Sequence, residues 1–123
     1  MNILAIDFGT KNIGLAWCDT DIGIVLPYGI IKNQNLDELS QLIKKENIDQ
    51  VIIGLPLGLN NEENINTKRV REFGDRLKSL VNIKIDFFDE RFSSAQADRT
   101  EGGVSRDEKA AMVILEDYLA SKK

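Results

Sequence analysis

The two connections that join the first three apolar segments are too short for anything except antiparallel pairing. Residues 2–8, 13–18 and 24–32 read as strands, with four and five residues between them. A crossover to a parallel neighbour needs about a dozen residues or more, so these strands follow one another as a meander. Pro27 lacks a backbone N–H and indicates an edge strand or a bulge at the third strand.

After the meander, helical and extended patterns alternate. The periodicity predicts helices over 36–46, 63–80 and 106–121, strands over 49–55 and 83–88, and a short helix near 94–100. A meander followed by such an alternation gives a mixed sheet, whose later strands lie parallel to the first. We therefore expect one α/β domain over residues 1–123, with a central sheet of about five strands flanked by helices. This is the element order of the ribonuclease H-like fold.

The composition removes several kinds of catalytic chemistry. The chain of 123 residues contains no histidine and one cysteine, Cys18. A Ser-His-Asp triad, a Cys-His pair, an HExxH zinc site and a site built from several cysteines are therefore excluded. Any catalysis has to use carboxylates, Lys, Tyr, hydroxyls or a hard metal ion bound through oxygen.

The sequence also predicts where the protein works. No apolar run approaches the roughly 18 residues of a membrane span. Asp7 interrupts the N-terminal apolar segment before a secretory signal could form. We expect a cytoplasmic protein without a membrane segment.

Acidic side chains stand where predicted elements end or begin. Asp7 closes the first strand, Asp89 and Glu90 follow the strand at 83–88, and Asp107 lies in the first turn of the last helix. The carboxyl ends of parallel strands share one edge of a sheet, where the ligand sites of α/β proteins collect. The apolar stripe of the last helix continues from Asp107 through Ala111, Ile114, Leu115 and Tyr118.

Each acidic position also has a purely structural interpretation. Asp7 could cap the turn that follows it, and Asp89 with Glu90 could pair with Arg91 in a solvated loop. Asp107 could complement the positive end of the last helix. An acid that only complements the helix dipole does not need to face the sheet, so the stripe favours a functional Asp107.

Taken together, the acids predict a metal site. Two-metal phosphoryl chemistry needs several hard oxygen ligands from separate elements, holding ions about 3.5–4 Å apart. In a chain without histidine, carboxylates on Mg²⁺ or Mn²⁺ are the evident means of hydrolysing phosphodiesters. We expect Asp7, Asp89, Glu90 and Asp107 to be the ligands of such a two-metal site.

Candidate phosphate contacts lie in two loops and one helix. The turn that contains Lys11 and the loop that contains Gly54 and Pro56 both follow strands at the predicted carboxyl edge. Residues 64–84 carry a net charge of +4, although the whole chain carries −4, and Lys68 and Arg71 of this segment could contact backbone phosphates. The structural alternatives are loops that need small residues and a solvated helix face.

Four motifs in order resemble the YqgF/RuvX family over essentially the whole chain. They are Asp-Phe-Gly-Thr-Lys-Asn-Ile-Gly at 7–14, Gly-Leu-Pro-Leu at 54–57, Asp-Glu-Arg-Phe-Ser-Ser at 89–94 and Asp-Glu-Lys-Ala-Ala at 107–111. The resemblance implies a ribonuclease H-like fold and a metal-dependent nuclease. It also implies Asp7, Glu90 and Asp107 as the acidic triad, with Asp89 substituting for or supporting Glu90. Arg91 beside this pair is a candidate substrate contact.

The chain departs from the family pattern in two places. Gly58 stands where the family usually has Asn, and the segment before Asp107 is short, with its basic loop reduced to Arg106. Both departures, together with the acidic net charge, weaken the case for tight nucleic-acid binding.

The sequence leaves several functions open. The resemblance favours a nuclease that processes the 5′ end of precursor 16S rRNA, as a monomer or weak homodimer that could associate with the ribosome. A Holliday junction resolvase acting on branched DNA is the main alternative, and it would require a symmetric dimer. A non-catalytic ribosome- or transcription-associated binding module is a third. A sugar-kinase or actin-like domain ranks last, because that fold needs two lobes.

Overall fold

The computed structural model of the chain describes residues 1–57, 62–89 and 104–122. Its strands are β1 (Asn2–Phe8), β2 (Asn12–Asp19), β3 (Ile24–Lys32), β4 (Gln50–Leu55) and β5 (Lys84–Asp89). Its helices are α1 (Leu36–Lys45), α2 (Ile65–Leu80) and α3 (Arg106–Ser121). The short helix expected near 94–100 lies outside the described residues.

The strands form one mixed sheet in the order β3-β2-β1-β4-β5. The pairs β1–β2 and β2–β3 are antiparallel, which confirms the predicted meander. The pairs β1–β4 and β4–β5 are parallel, so β1, β4 and β5 end at the same edge of the sheet. We call this the carboxyl edge; it is where the sequence predicts the acidic residues to gather.

The edge strand β3 contains the irregularity that Pro27 predicts. The pairing register of β2 with β3 shifts between Leu15 and Ala16, whose partners are Gly29 and Pro27. One residue of β3 is therefore extra, and the ladder is interrupted at this point. Gly29 has a φ of 101°, a left-handed conformation that favours glycine.

The start of α2 is set by side-chain capping that the periodicity does not reveal. The sequence predicts a helix from residue 63, whereas α2 begins at Ile65. The Asn64 side chain accepts hydrogen bonds from the backbone N–H groups of Asn66 and Thr67, and the Thr67 hydroxyl accepts from the Asn64 N–H. This reciprocal cap stops the helix at Asn64 and leaves Glu63 outside it.

Helices cover both faces of the sheet. On one face α1 and α2 pack over β-strand residues such as Leu4, Ile6 and Ile53. On the other face α3 packs over Ala5 and Ile52 and over the fully buried Cys18, whose thiol pKa is raised by burial. Side chains alternate between these faces along each strand. In the described part of the chain, no helix is both long and apolar enough to cross a membrane.

Candidate active site at the carboxyl edge

Asp7 is placed on the α3 face by its position in β1. It lies one residue before the end of the strand, half-buried, and its Cα is paired with that of Gly14 in β2. The side chains of Ile3 and Ala5 lie on the same face of β1 as that of Asp7, and both pack against α3. The Asp7 side chain therefore projects toward the helix that carries Asp107.

The first turn of α3 lies directly on Gly14. A β-carbon at Gly14 would lie 2.0 Å from the Asp107 carbonyl oxygen and 2.9 Å from the Asp107 β-carbon. Directly opposed residues of an antiparallel pair have β-carbons about 4.5–5.5 Å apart on the same face. The β-carbons of Asp7 and Asp107 are therefore no more than about 8 Å apart, which confirms that Asp107 faces the sheet.

Glu108 holds the start of α3 through hydrogen bonds to Ser105 and to Gly29. Its carboxylate accepts a 2.9 Å hydrogen bond from the Ser105 hydroxyl, which in turn accepts one from the Glu108 N–H at 3.1 Å. Ser105 and Glu108 thus form a reciprocal capping box. The second carboxylate oxygen of Glu108 accepts a 2.8 Å hydrogen bond from the Gly29 N–H, at the point where the β3 ladder is interrupted. Glu108 thus ties the helix that carries Asp107 to the edge strand.

Gly54 lies beside Asp7 on the same face. It belongs to β4, as the strand predicted over 49–55 implies, rather than to the loop after that strand, and it is buried. Its neighbour Ile53 is paired with Ile6, so Gly54 stands level with Asp7. The positions that flank Asp7 across the two strand pairs, Gly14 and Gly54, are therefore both glycines. Pro56 follows the strand, and its carbonyl accepts a hydrogen bond from the Thr67 hydroxyl.

Asp89 is not brought together with Asp7. It is the last residue of β5, exposed, and paired with Leu55, which packs on the α1/α2 side of the sheet. Its charge acts on Arg71 of α2, which agrees with that placement. Glu90 and Arg91 lie outside the described residues.

Among the predicted phosphate contacts, Arg71 is already engaged within the protein. Its guanidinium donates to the two Glu63 carboxylate oxygens at 2.6 and 3.2 Å and stacks over Phe87, 5.5 Å from the ring centroid. The hydrogen bond to Glu63 raises the pKa of Arg71 above its ordinary value, so the group stays charged. Lys11 and Lys68 are exposed.

The described residues supply part of the donor set of a divalent-metal site. Asp7 and Asp107 offer hard carboxylate oxygens from separate elements on one face, which suits Mg²⁺ or Mn²⁺. Within residues 1–57, 62–89 and 104–122, no three acidic or thiol side chains come close enough to hold a metal ion.

This sheet order is that of a ribonuclease H-like fold, and the family and relatives that the chain matches make it a nuclease, an enzyme that hydrolyses phosphodiester bonds. More narrowly, the chain belongs to the RuvX family, described as Holliday junction resolvase, whose sequence profile matches residues 1–121. The predicted fold and the resemblance to this family are both confirmed. Membership of a resolvase and nuclease family implies a general dependence on divalent metal.

Individual relatives agree with this assignment. A protein of Maridesulfovibrio salexigens named "Putative pre-16S rRNA nuclease" is 38% identical, over 98% of each chain. RuvC of T. thermophilus, solved with a Holliday junction substrate, superposes with a TM-score of 0.68 at 10% identity, covering 99% of this chain and 96% of its own. The fowlpox virus resolvase, solved with junction DNA, gives a TM-score of 0.63 at 16% identity, covering 99% of each chain. At such low identity, these two structures show a common fold.

Sequence reasoning missed the positioning roles of Gly14 and Glu108. Gly14 ends the motif at 7–14, but nothing local shows that a helix some ninety residues later packs on it. The spacing of Ser105 and Glu108 indicates a capping box, but it does not reveal the hydrogen bond that Glu108 accepts from Gly29. The bulge predicted at Pro27 was the available signal, because a bulge leaves a backbone donor in need of a partner.

Proposed function

We propose that this chain is a Mg²⁺- or Mn²⁺-dependent nuclease that processes the 5′ end of precursor 16S rRNA in the cytoplasm. The observation that carries the proposal is the contact of Asp107 with Gly14, the strand partner of Asp7. It sets two carboxylates from distant parts of the sequence on one face at the carboxyl edge. The name shared by the curated relatives supports the substrate.

The proposed metal ligands are Asp7, Glu90 and Asp107. Asp89 shares the strand parity of Ile85 and Phe87, which pack on the α1/α2 side, so it lies on the face opposite to Asp7. This placement favours Glu90, the acid that the family resemblance implies, over Asp89 as the third ligand. When bound, the metal would activate water and stabilise the leaving oxygen. The carboxylates would hold it at the carboxyl edge.

The proposed substrate contacts lie at the sheet edge that carries Asp7. Gly54 stands level with Asp7 in β4, where it is buried. Lys11 and Pro56 follow strands at the same edge, which supports their proposed substrate contacts. Lys68, Arg71 and Arg91 complete the proposed set.

Branched DNA is the second candidate substrate, because the family description names Holliday junction resolution. Cutting a junction symmetrically needs two active sites, and therefore a two-fold dimer. Trimming one rRNA end needs a single site, which a monomer or weak homodimer provides. The oligomeric state with and without junction DNA consequently separates the two candidates.

The deciding experiment is a side-by-side cleavage assay on precursor 16S rRNA and on a four-way DNA junction, with Mg²⁺, Mn²⁺ or a chelator. We expect metal-dependent cleavage of the rRNA near its mature 5′ end, and removal of the metal should abolish it. Paired symmetric cuts in the junction, made by a dimer, with the rRNA left intact would replace the rRNA proposal with the resolvase. Binding to ribosomal particles would be measured separately by sedimentation.

A further inference from the structure

A cleft of about 560 Å³ opens at the carboxyl edge, on the face opposite to Asp107. Phe8 and Phe73 form its aromatic wall, with ring centroids 4.6 Å apart. Phe73 is 5% exposed and supports the half-buried ring of Phe8. Because Phe8 directly follows Asp7, the two side chains leave the same strand end toward opposite faces. The cleft and the candidate active site therefore lie at the same edge of the sheet, on opposite faces.

The rim of the cleft carries two arginines that are not engaged as Arg71 is. Arg69 and Arg76 line it from one side of α2, together with Glu72, so the three charges leave one net positive. The salt bridges of the described residues include none of these three side chains. The guanidinium groups are therefore available to an anion, and a guanidinium matches the geometry of a phosphate.

The opposite wall is held in place by hydrogen bonds. The Asn33 amide donates to the carbonyl oxygens of Gly9 and Thr10 at 3.1 and 2.6 Å, and its backbone N–H donates to the Lys11 carbonyl at 2.9 Å. These bonds fasten the β1–β2 turn to the end of β3. The wall is consequently preformed, which lowers the entropy cost of binding a ligand.

We propose that this cleft binds one unpaired nucleotide of the substrate strand, with its base against Phe8 and its phosphate between Arg69 and Arg76. The inference rests on the proposed nuclease function and deepens it. Base stacking on an aromatic side chain is worth about 1–3 kcal/mol and tolerates any base. The amide side chains of Gln34 and Asn66, which also line the cleft, can pair with a base edge.

This placement selects single-stranded nucleic acid. A base inside a duplex is stacked on both sides and cannot enter a cleft without being extruded. A strand that crosses the carboxyl edge brings one phosphodiester to Asp7 and places the adjoining nucleotide over Phe8 on the other face. The protein would thus cleave next to an unpaired end or flap and disfavour the interior of a duplex.

The test compares two pairs of charge deletions in the cleavage-silent Asp7→Asn background. Arg69→Ala with Arg76→Ala removes the rim, whereas Lys44→Ala with Lys45→Ala removes the same charge from the end of α1. Affinity for a fluorescein-labelled single-stranded RNA of ten nucleotides is measured by anisotropy across salt concentrations. We expect at least tenfold weaker binding for the rim pair only, with the salt slope flattened by about 0.7 units, because one phosphate contact is lost.

A second measurement probes the base. Free 2-aminopurine riboside 5′-monophosphate loses fluorescence when it stacks on an aromatic ring. We expect quenching by the protein and its loss in Phe8→Leu, whose folding is checked by thermal melting. The nucleotide site is overturned if both arginine and lysine pairs weaken RNA binding equally. It is also overturned if a polyglutamate peptide displaces the labelled RNA from the protein as well as the free nucleotide does.

The cleft and the nuclease proposal can fail separately. Quenching by a protein that cleaves no nucleic acid would leave the cleft standing and remove the nuclease function. Normal metal-dependent cleavage with unaltered RNA affinity in the rim pair would remove the cleft and leave the nuclease. Equal weakening of single-stranded and blunt duplex RNA in the rim pair would contradict the preference for unpaired nucleotides.

Discussion

Gly14 and Asp107 are in direct contact, so that a β-carbon on Gly14 would stand 2.0 Å from the Asp107 carbonyl oxygen. The contact joins the second strand to the last helix. It also sets the distance from Asp107 to Asp7, because Asp7 is the strand partner of Gly14. The candidate active site therefore depends on a missing side chain as much as on the acids themselves.

Replacing Gly14 tests this dependence. Gly14→Ala forces the start of α3 away from the sheet, because the new methyl group meets backbone rather than a flexible side chain. We expect a loss of about 1–3 kcal/mol in the free energy of unfolding, and a fall in kcat of at least tenfold. Gly23→Asn serves as the control, because nothing lies within 4 Å of the added β-carbon and Asn tolerates the left-handed φ of 80° at this turn better than most side chains. Full activity in a stable Gly14→Ala protein would contradict the positioning role.

Glu108 is expected to position α3 through its two oxygens. Glu108→Ala removes the cap of Ser105 and leaves the Gly29 N–H without its acceptor. We predict a loss of about 1–2 kcal/mol in stability, measured by urea unfolding, with a smaller loss for Glu108→Gln, which keeps one oxygen. Glu116→Gln on the exposed side of α3 is the control. A lower kcat with an unchanged KM would distinguish displacement of Asp107 from a defect in substrate binding.

The order of the elements was predictable because it follows from local information. Short links impose the meander, and a change of period from two to 3.6 separates strands from helices. The strand and helix boundaries differ from expectation by at most two residues, the largest difference being at the Asn64 cap of α2. The orientation of Asp107 toward the sheet was also predictable, because Asp107, Ala111 and Ile114 have the spacing of residues on one helix face.

What could not be predicted depends on register between distant segments. The sequence cannot show that β5 extends to Asp89, and a shift of one residue moves a side chain to the other face. This is why Asp89 and Glu90 could not be ordered from their spacing. The engagement of Arg71 by Glu63 likewise needs the cap that leaves Glu63 outside α2.

Metal binding should be visible in thermal stability. A cation that binds only the folded protein stabilises it by about 2.7 kcal/mol at a hundredfold excess over its Kd. We predict that Mg²⁺ or Mn²⁺ raises the Tm of the wild type and that Asp107→Asn removes the rise. Asp117→Asn, an exposed acid of the same helix, should keep it. An equal rise in both variants would place the metal elsewhere.

Arg71 offers a separate test of phosphate contact. Arg71→Ala should weaken nucleic-acid binding for all sequences and flatten the salt slope by about 0.7 units for a single strand. Glu63→Gln should tighten binding, because it releases the guanidinium from its carboxylate partner. Arg71→Lys keeps the charge and should retain most of the affinity. Unchanged binding in Arg71→Ala would assign this arginine to its contacts with Glu63 and Phe87 alone.

The most direct test of the nuclease account is the cleavage rate of Asp7→Asn on precursor 16S rRNA with saturating Mg²⁺ or Mn²⁺. The substitution keeps the size of the side chain and removes the charge that would hold the metal. We predict that cleavage is abolished while affinity for the RNA is unchanged or slightly higher, since repulsion of phosphate is reduced. An Asp7→Asn protein that cleaves at the wild-type rate, free of contaminating nuclease, would contradict the account, because the catalytic metal would then not depend on Asp7.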